Sequence, residues 1–241
     1  MYKTEFDDDD VVALEEDELD EFLELAKTKT DRVRHTCVIL ARTGMRAAEL
    51  AHMTEDWLRI GSEERDMQIH IQSVDCECGD CRAKAKQMAK RMVADKKTEY
   101  EDEDKALEVA LGRYWTPKSK RGTRTIPVKH RDARDAIREL FTTDKGRAML
   151  GERNGVPAFG VTRQTIWNRV RRVADELDAE EPVRPHTLRH TYASLAALKG
   201  ATAPTIRDTL GHADISSSQR YIRFAGKQLD KQLDDVWGHD A

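Results

Sequence analysis

The chain has 241 residues, of which 36% are charged and 39% hydrophobic, with a formal net charge of −4. That length allows one large or two small domains with a real core; no apolar run approaches the ~20 residues that span a bilayer, and Met1 to Lys3 lead into acid rather than a signal-type segment, so a soluble cytoplasmic protein without a membrane partner is expected. The negative sum argues against nucleic acid at first sight, but Arg113 to Lys129 and Arg163 to Arg172 hold several cations and no carboxylate, so a basic face under an acidic remainder is expected.

Residues 1–11, with their DDDD run, read as a solvated acidic tail. Leu14, Leu19, Phe22, Leu23 and Ala26 then recur at helical spacing. Asp31 is the expected cap of a second helix with Val33, Cys37, Val38 and Leu40 on its apolar face and Gly44 as its stop. Arg46 falls at the junction to a third helix carrying Glu49, Leu50 and Met53; an Arg–Glu pair at i, i+3 is ordinarily a surface ion pair. Trp57 to Ile60 and Met67 to Gln72 alternate apolar and polar residues, the pattern of strands in a small sheet.

Three of the four cysteines, Cys76, Cys78 and Cys81, lie within six residues. In a cytosolic chain this CxCxxC suggests a structural zinc, with His70 or a carboxylate as fourth ligand; the plain alternative is three reduced thiols in a tight turn. Cys37 belongs to an apolar helix face and is expected in the core. A basic helix with Met88, Met92 and Val93 on one side precedes the acidic stretch from Tyr100 to Gly112, and the two are expected to form a helical hairpin held partly by opposite charge, with a DNA-contacting arm as the alternative. Tyr114 to Thr116 and Thr123 to Val128 flank a basic tip, Lys118 to Gly122, and read as a β-hairpin. Residues 130–150 give an amphipathic helix, and Thr162 caps another bearing Ile166, Trp167, Val170 and Val173, with Arg163, Arg169 and Arg172 on a face suited to DNA.

HTLRH (His186 to His190) opens a helix that Gly200 stops. His186 and Arg189, three positions apart, share one face; an imidazole beside a guanidinium is a poor core and a good oxyanion grip. LGH (Leu210 to His212) follows, with Gly211 ending a short helix. A further helix from about Ile215 carries Tyr221.

The sequence TGMRAAEL (Thr43 to Leu50), the TPKSKRGTRTIPV segment (Thr116 to Val128), HTLRH, LGH and the tyrosine nine positions on resemble, in order, the motifs of the tyrosine recombinases, the phage integrase family. The resemblance covers roughly residues 12–236. It implies a mainly α fold with a small antiparallel β-sheet (α+β), a tyrosine recombinase catalytic domain over 12–236 with an insertion at about 74–112, and a short tail over 237–241. It also implies a site-specific recombinase that needs no catalytic metal: Tyr221 as nucleophile, Arg46 and Arg189 holding the phosphate, and Lys118 as general acid with Lys120 its close rival. His186 would accept or hold the tyrosine proton, His212 would donate to the phosphate, and Glu49 and His190 would be supporting residues. Double-stranded DNA is the implied partner, on which a homo-oligomer, a tetramer, would assemble through a C-terminal helix bearing Leu229, Leu233 and Val236.

Two departures accompany it. The insertion interrupts the sheet, and the separate N-terminal helical domain common in the family is not seen; a minimal recombinase, a fragment, or a partner that supplies the clamp would each account for that. A type IB topoisomerase, separable by a relaxation assay, and a non-catalytic DNA-binding regulator are the competing readings. The acid richness, with arginine exceeding lysine, suggests a halophile-like, archaeal protein, for which salt would weaken each phosphate contact and binding would rest on shape.

Overall fold

The computed structural model describes residues 12–63, 66–74, 76, 78–94, 102–111, 115–153 and 155–237. Helices dominate, with two small antiparallel sheets, and no helix among the described residues is long and apolar enough to cross a membrane. The acidic residues 1–11 and residues 238–241 lie outside the described residues.

Helix α1 (Glu16–Lys27) buries Leu19, Phe22, Leu23 and Ala26, one stripe of a 3.6-residue period. It packs on α2 (Asp31–Thr43), which is buried on nearly all sides and forms the axis of the main core. Thr30, not Asp31, occupies the cap position of α2, and Asp31 is the first helical residue, where a carboxylate faces the positive end of the helix dipole. Gly44 ends α2 at φ 64°, and a Cβ there would stand 2.7 Å from Tyr192 and Leu210 side-chain atoms. The left-handed turn and the close approach both select glycine. The chain then enters α3 (Ala47–His52) directly, so Arg46 is fixed at a helix start in the middle of the molecule.

Strands β1 (Leu58–Ile60), β2 (Met67–Ile71) and β3 (Arg124–Pro127) form one sheet in that order, with Ile69 opposite Ile126 and Ile71 opposite Arg124. Among the described residues the expected hairpin between Tyr114–Thr116 and Thr123–Val128 is absent. β3 instead pairs with β2 across the whole insertion, Trp115 bridges Val74, and Lys120–Gly122 is a 3-10 turn; Tyr114 lies outside the described residues. The insertion is therefore a long excursion between two neighbouring strands.

Within it, α4 (Gly79–Ala94) and α5 (Glu103–Leu111) do pack as a helical pair. Their buried residues are Ala85 and Ala89 on one and Ala106 and Ala110 on the other, while Met88 and Val93 are exposed. Small residues let the two helices approach closely, which explains why Ala85 and Ala89, rather than Met88 and Val93, are the packed ones.

Helix α6 (Arg131–Thr142) lays Ala133, Ile137, Leu140 and Phe141 on α2, and the short α7 (Asp144–Arg147) follows. A small hairpin, β4 (Gly151–Arg153) with β5 (Val156–Ala158), was not anticipated; its signal was the Asn154-Gly155 pair, and Gly155 has φ 75°. Helix α8 (Arg163–Ala174), capped by Thr162 as expected, returns to the core through Ile166, Val170 and Val173. Helices α9 (Pro185–Leu198), α10 (Ala203–Leu210) and α11 (Ser216–Trp237) enclose a second, smaller cluster of Ala193, Ala197, Ile206, Leu210, Tyr221 and Ala225. The tyrosine-bearing and C-terminal segments are one continuous helix.

Candidate active site

A groove of about 730 Å³ opens where α3, α8, α9 and the segment before β3 meet. Its wall carries Arg46, Lys84, Lys118, Arg163, His186 and Arg189. Its one carboxylate, Glu49, is 1% exposed and already paired. A chain of net negative charge thus presents a cationic cleft.

The two arginines are placed by buried backbone carbonyls. Arg189, on the inner face of α9, donates from Nη1 to Gly44 O and from Nη2 to Leu210 O, each at 2.6 Å. Arg46 donates from Nη1 to Glu49 Oε1 at 2.8 Å and from Nη2 to Gly211 O at 3.3 Å. The LGH turn therefore braces both cations, and each guanidinium, with five N–H donors, retains several for another acceptor. Burial pushes the Arg189 guanidinium down to about 9, and the neighbouring Arg46 and Arg124 add to the shift; it remains a cation at neutral pH.

The Arg46–Glu49 pair is not the surface ion pair its spacing suggests. Glu49 sits between Arg46 and Arg124, whose Nη1 and Nη2 reach its two oxygens at 2.9 and 3.0 Å while Nε donates to Thr209 O at 2.6 Å. Burial pushes the Glu49 carboxyl up, but the Arg124 bonds and the charges of Arg124, Arg46 and Arg189 outweigh it and hold the carboxyl below its ordinary range. Arg124 was missed in the sequence as a site residue, although it is the first residue of the RTIPV pattern.

Gly211, at φ 68°, closes α10 where a Cβ would lie 2.8 Å from Arg121 O, so the Lys118 segment rests on the LGH turn. Ser119 Oγ reaches Gly211 O at 3.4 Å. Lys118 faces the groove, whereas Lys120 stands exposed in the 3-10 turn and is not among the groove residues.

Tyr221 is 2% exposed and outside the groove wall. Ser218, Tyr221 and Ala225 form the inward stripe of α11, so the phenol is buried by helical phase. Its hydroxyl bonds His190 Nδ1 at 2.7 Å, and His186 meets His190 edge-on with ring centroids 4.2 Å apart. The hydrogen-bond partner of the tyrosine hydroxyl is thus His190, not His186. His212 stacks at 6.1 Å from the Tyr221 ring, its Nδ1 bonded to Ser218 Oγ at 2.8 Å; Ser218 was not singled out in the sequence. Burial, helped by Arg189 among the nearby charges, lowers His212 to about 3, and burial with His186 and Arg220 lowers His190 to about 4, so both rings are neutral at pH 7. Burial raises the Tyr221 phenol, with Arg189 pulling the other way.

On α8, Arg163 and Trp167, one turn apart, face the groove. Arg169 does not share that face. Its Nη1 donates to Thr36 Oγ1 at 3.2 Å and its guanidinium lies 5.9 Å from the Phe159 ring centroid, so it packs against the protein rather than facing the groove.

A second cluster lies at the root of the insertion. One ligand atom from each of His52, Cys76, Cys78 and Cys81 falls within 4.8 Å of the others. His70, the expected fourth member, is elsewhere: β2 turns Met67, Ile69 and Ile71 inward, so His70 points to the opposite face, where Nδ1 meets Thr125 Oγ1 at 3.0 Å.

Residues 13–227 match the pattern of the phage integrase family. The chain is a member of that family. As an integrase-family chain it is 38% identical over 104 residues to tyrosine recombinase XerD of Ralstonia nicotianae, covering 41% of this chain and 33% of that protein. With XerD of Listeria innocua it shares 44% identity over 70 residues, 29% of this chain and 24% of that one. The matches thus span about a quarter to a third of the length of these relatives. The fold is shared with solved structures. XerA recombinase superposes with TM-score 0.60 at 19% identity, covering 92% of this chain and 65% of XerA. XerH site-specific recombinase bound to palindromic difH substrate gives 0.57 at 19%, over 94% and 53%.

Proposed function

We propose that this chain carries the catalytic centre of a site-specific DNA recombinase acting in the cytoplasm, with Tyr221 as its nucleophile. The observation that carries the reading is the brace described above: two motif arginines from distant parts of the chain open on one groove and share the LGH carbonyls that lead to His212 and the tyrosine helix. XerH bound to its difH substrate and the Tn1549 transposon integrase in complex with circular intermediate DNA share this fold, and double-stranded DNA is the partner assigned to this groove.

In this reading a scissile phosphate enters the groove and its nonbridging oxygens take the remaining N–H donors of Arg46 and Arg189. Tyr221 Oη attacks phosphorus, forming the 3′-phosphotyrosine bond as the P–O5′ bond breaks. In its buried seat the phenol bonds His190 Nδ1; once it has moved to the groove its proton passes to His186, which lines the groove wall. Lys118 Nζ protonates the departing 5′-oxygen, and His212 adds a hydrogen bond to the phosphate. Since bond energy is retained in the phosphotyrosine, a 5′-hydroxyl of another strand reverses the step and completes transfer. The cations at the phosphate are all side chains of this chain, so the scheme calls on no catalytic metal.

The tyrosine's burial adds a requirement. For Oη to reach a phosphate in the groove, the phenol leaves its seat against His190, by a shift of α11 or of the side chain. Assembly of copies on DNA is the proposed trigger, with exposed Leu229 and Leu233 of α11 as the docking stripe and exposed Trp237 beside them; the side chain of Val236, the third expected member, lies outside the described residues. The halophile-like composition belongs to this proposal too and predicts binding that persists in concentrated salt.

A nicked suicide DNA substrate, from which the short fragment carrying the freed 5′-hydroxyl diffuses away after cleavage, tests the reading. The wild-type chain traps a covalent protein–DNA adduct that survives denaturation, and Tyr221→Phe gives none. A folded, DNA-binding wild type that never forms the adduct would leave a regulator on this fold instead.

A further inference from the structure

The insertion that separates β2 from β3 is anchored at its root by four side chains from three separate segments, and none of them serves the groove directly. His52 ends α3, six residues after Arg46; Cys76 and Cys78 lie in the entry loop; Cys81 is in the first turn of α4. His52 is 2% exposed. Its Nδ1 lies 2.7 Å from Ala48 O, a contact that only an Nδ1–H donor can make, which leaves the lone pair on Nε2. That nitrogen faces the sulfurs, 3.2 Å from Cys81 Sγ and 3.6 Å from Cys78 Sγ. The Cys78 N–H points to Cys76 Sγ at 3.4 Å.

A histidine whose outer nitrogen is tied to a carbonyl, aimed at three thiols, is the arrangement in which imidazole ligates a metal. A tetrahedral ion with bonds of about 2.0–2.3 Å needs ligand atoms about 3.5–3.8 Å apart. The two nitrogen–sulfur distances, 3.2 and 3.6 Å, lie close to that range, and all four ligand atoms lie within 4.8 Å of one another. Three sulfurs and one imidazole, with no carboxylate in the set, favour zinc over hard cations and fill four positions, leaving no site for water or substrate. A disulfide between two of the thiols would leave the third beside an unused imidazole.

We propose that His52, Cys76, Cys78 and Cys81 bind one zinc ion that fastens the inserted helical pair to the catalytic framework. The clamp acts on both sides of the groove. Trp115, three residues before Lys118, stacks on the His52 ring at 4.6 Å and 12°, so the ligand also seats the segment that delivers the lysine. Asp80, next to Cys81, accepts from the Arg163 N–H at 3.1 Å and so docks the start of α4 on α8, which places Lys84 on the groove wall. The ion is structural, and its binding does not depend on what the groove does.

The test needs no DNA, so its outcome is independent of the recombinase reading. The full chain is purified under reducing conditions without chelator, its metals are measured by plasma mass spectrometry, and Co²⁺ is exchanged into it. The expected result is about one zinc per chain and, with Co²⁺, the visible absorption of a tetrahedral thiolate site. Cys81→Ser and His52→Gln lower zinc affinity by at least ~10-fold, while His70→Gln leaves it unchanged. Folded wild-type protein that holds no zinc and takes up none from a zinc buffer would overturn the proposal. So would a Cys–Cys disulfide in the peptide map, or loss of metal in His70→Gln rather than in His52→Gln.

Discussion

Glu49 is a single carboxylate that holds Arg46 on the groove wall and the buried Arg124, and its value is that of a buried counter-charge. Glu49→Gln leaves Arg124 buried without its partner, so we expect a loss of about 3–5 kcal/mol, read as a lower denaturant midpoint at unchanged slope. The histidines make a prediction of the opposite kind. His212 titrates at about 3 in the folded chain and near 6.5 when unfolded, so the unfolded state takes up the proton first as pH falls. Its neutral form therefore contributes stability that is complete above pH ~6.5 and is lost progressively toward pH 3. Replacing it in His212→Gln should flatten the fall of Tm between pH 6.5 and 4 relative to wild type.

Among the elements, the segment from Trp115 to β3 separates the two lysines that the sequence left as rivals. Lys118 faces the groove and Lys120 does not, so Lys118→Ala should slow cleavage by ~10²–10⁴-fold while Lys120→Ala leaves it within a few-fold, measured by single-turnover cleavage of the same DNA. What was legible here followed from local rules. Gly44 and Gly211 as helix stops, the HTLRH face and the Thr162 cap depend on residues within a turn of one another. The pairing of β3 with β2, the Glu49–Arg124 bond and the approach of His52 to the cysteines join residues far apart in sequence, which periodicity does not encode. Helical phase, by contrast, was available: Arg163 and Trp167 are one turn apart, and Arg169 falls on the side that reaches α2.

For the molecule as a whole, the buried phenol and the exposed stripe on α11 belong to one helix. Ser218, Tyr221 and Ala225 face inward, whereas Leu229 is 52% and Trp237 74% exposed. A helix packed through Tyr221 and carrying exposed apolar side chains further on suits capture by a neighbouring copy that also frees the tyrosine. We expect Leu229→Glu with Leu233→Glu to reduce multimeric assembly on DNA, seen by light scattering of the complex, while Tm stays within about 1 °C because both positions are exposed. Unchanged assembly would place the contact elsewhere.

In the proposed reaction Tyr221 joins DNA through its phenolic oxygen. That linkage is tested most directly by digesting the trapped adduct and sequencing the DNA-bearing peptide by mass spectrometry. We predict the peptide containing Tyr221, carrying a 3′-phosphate linkage with a free 5′-hydroxyl on the released strand. An adduct on any other residue, or a 5′-linked one, would contradict the account.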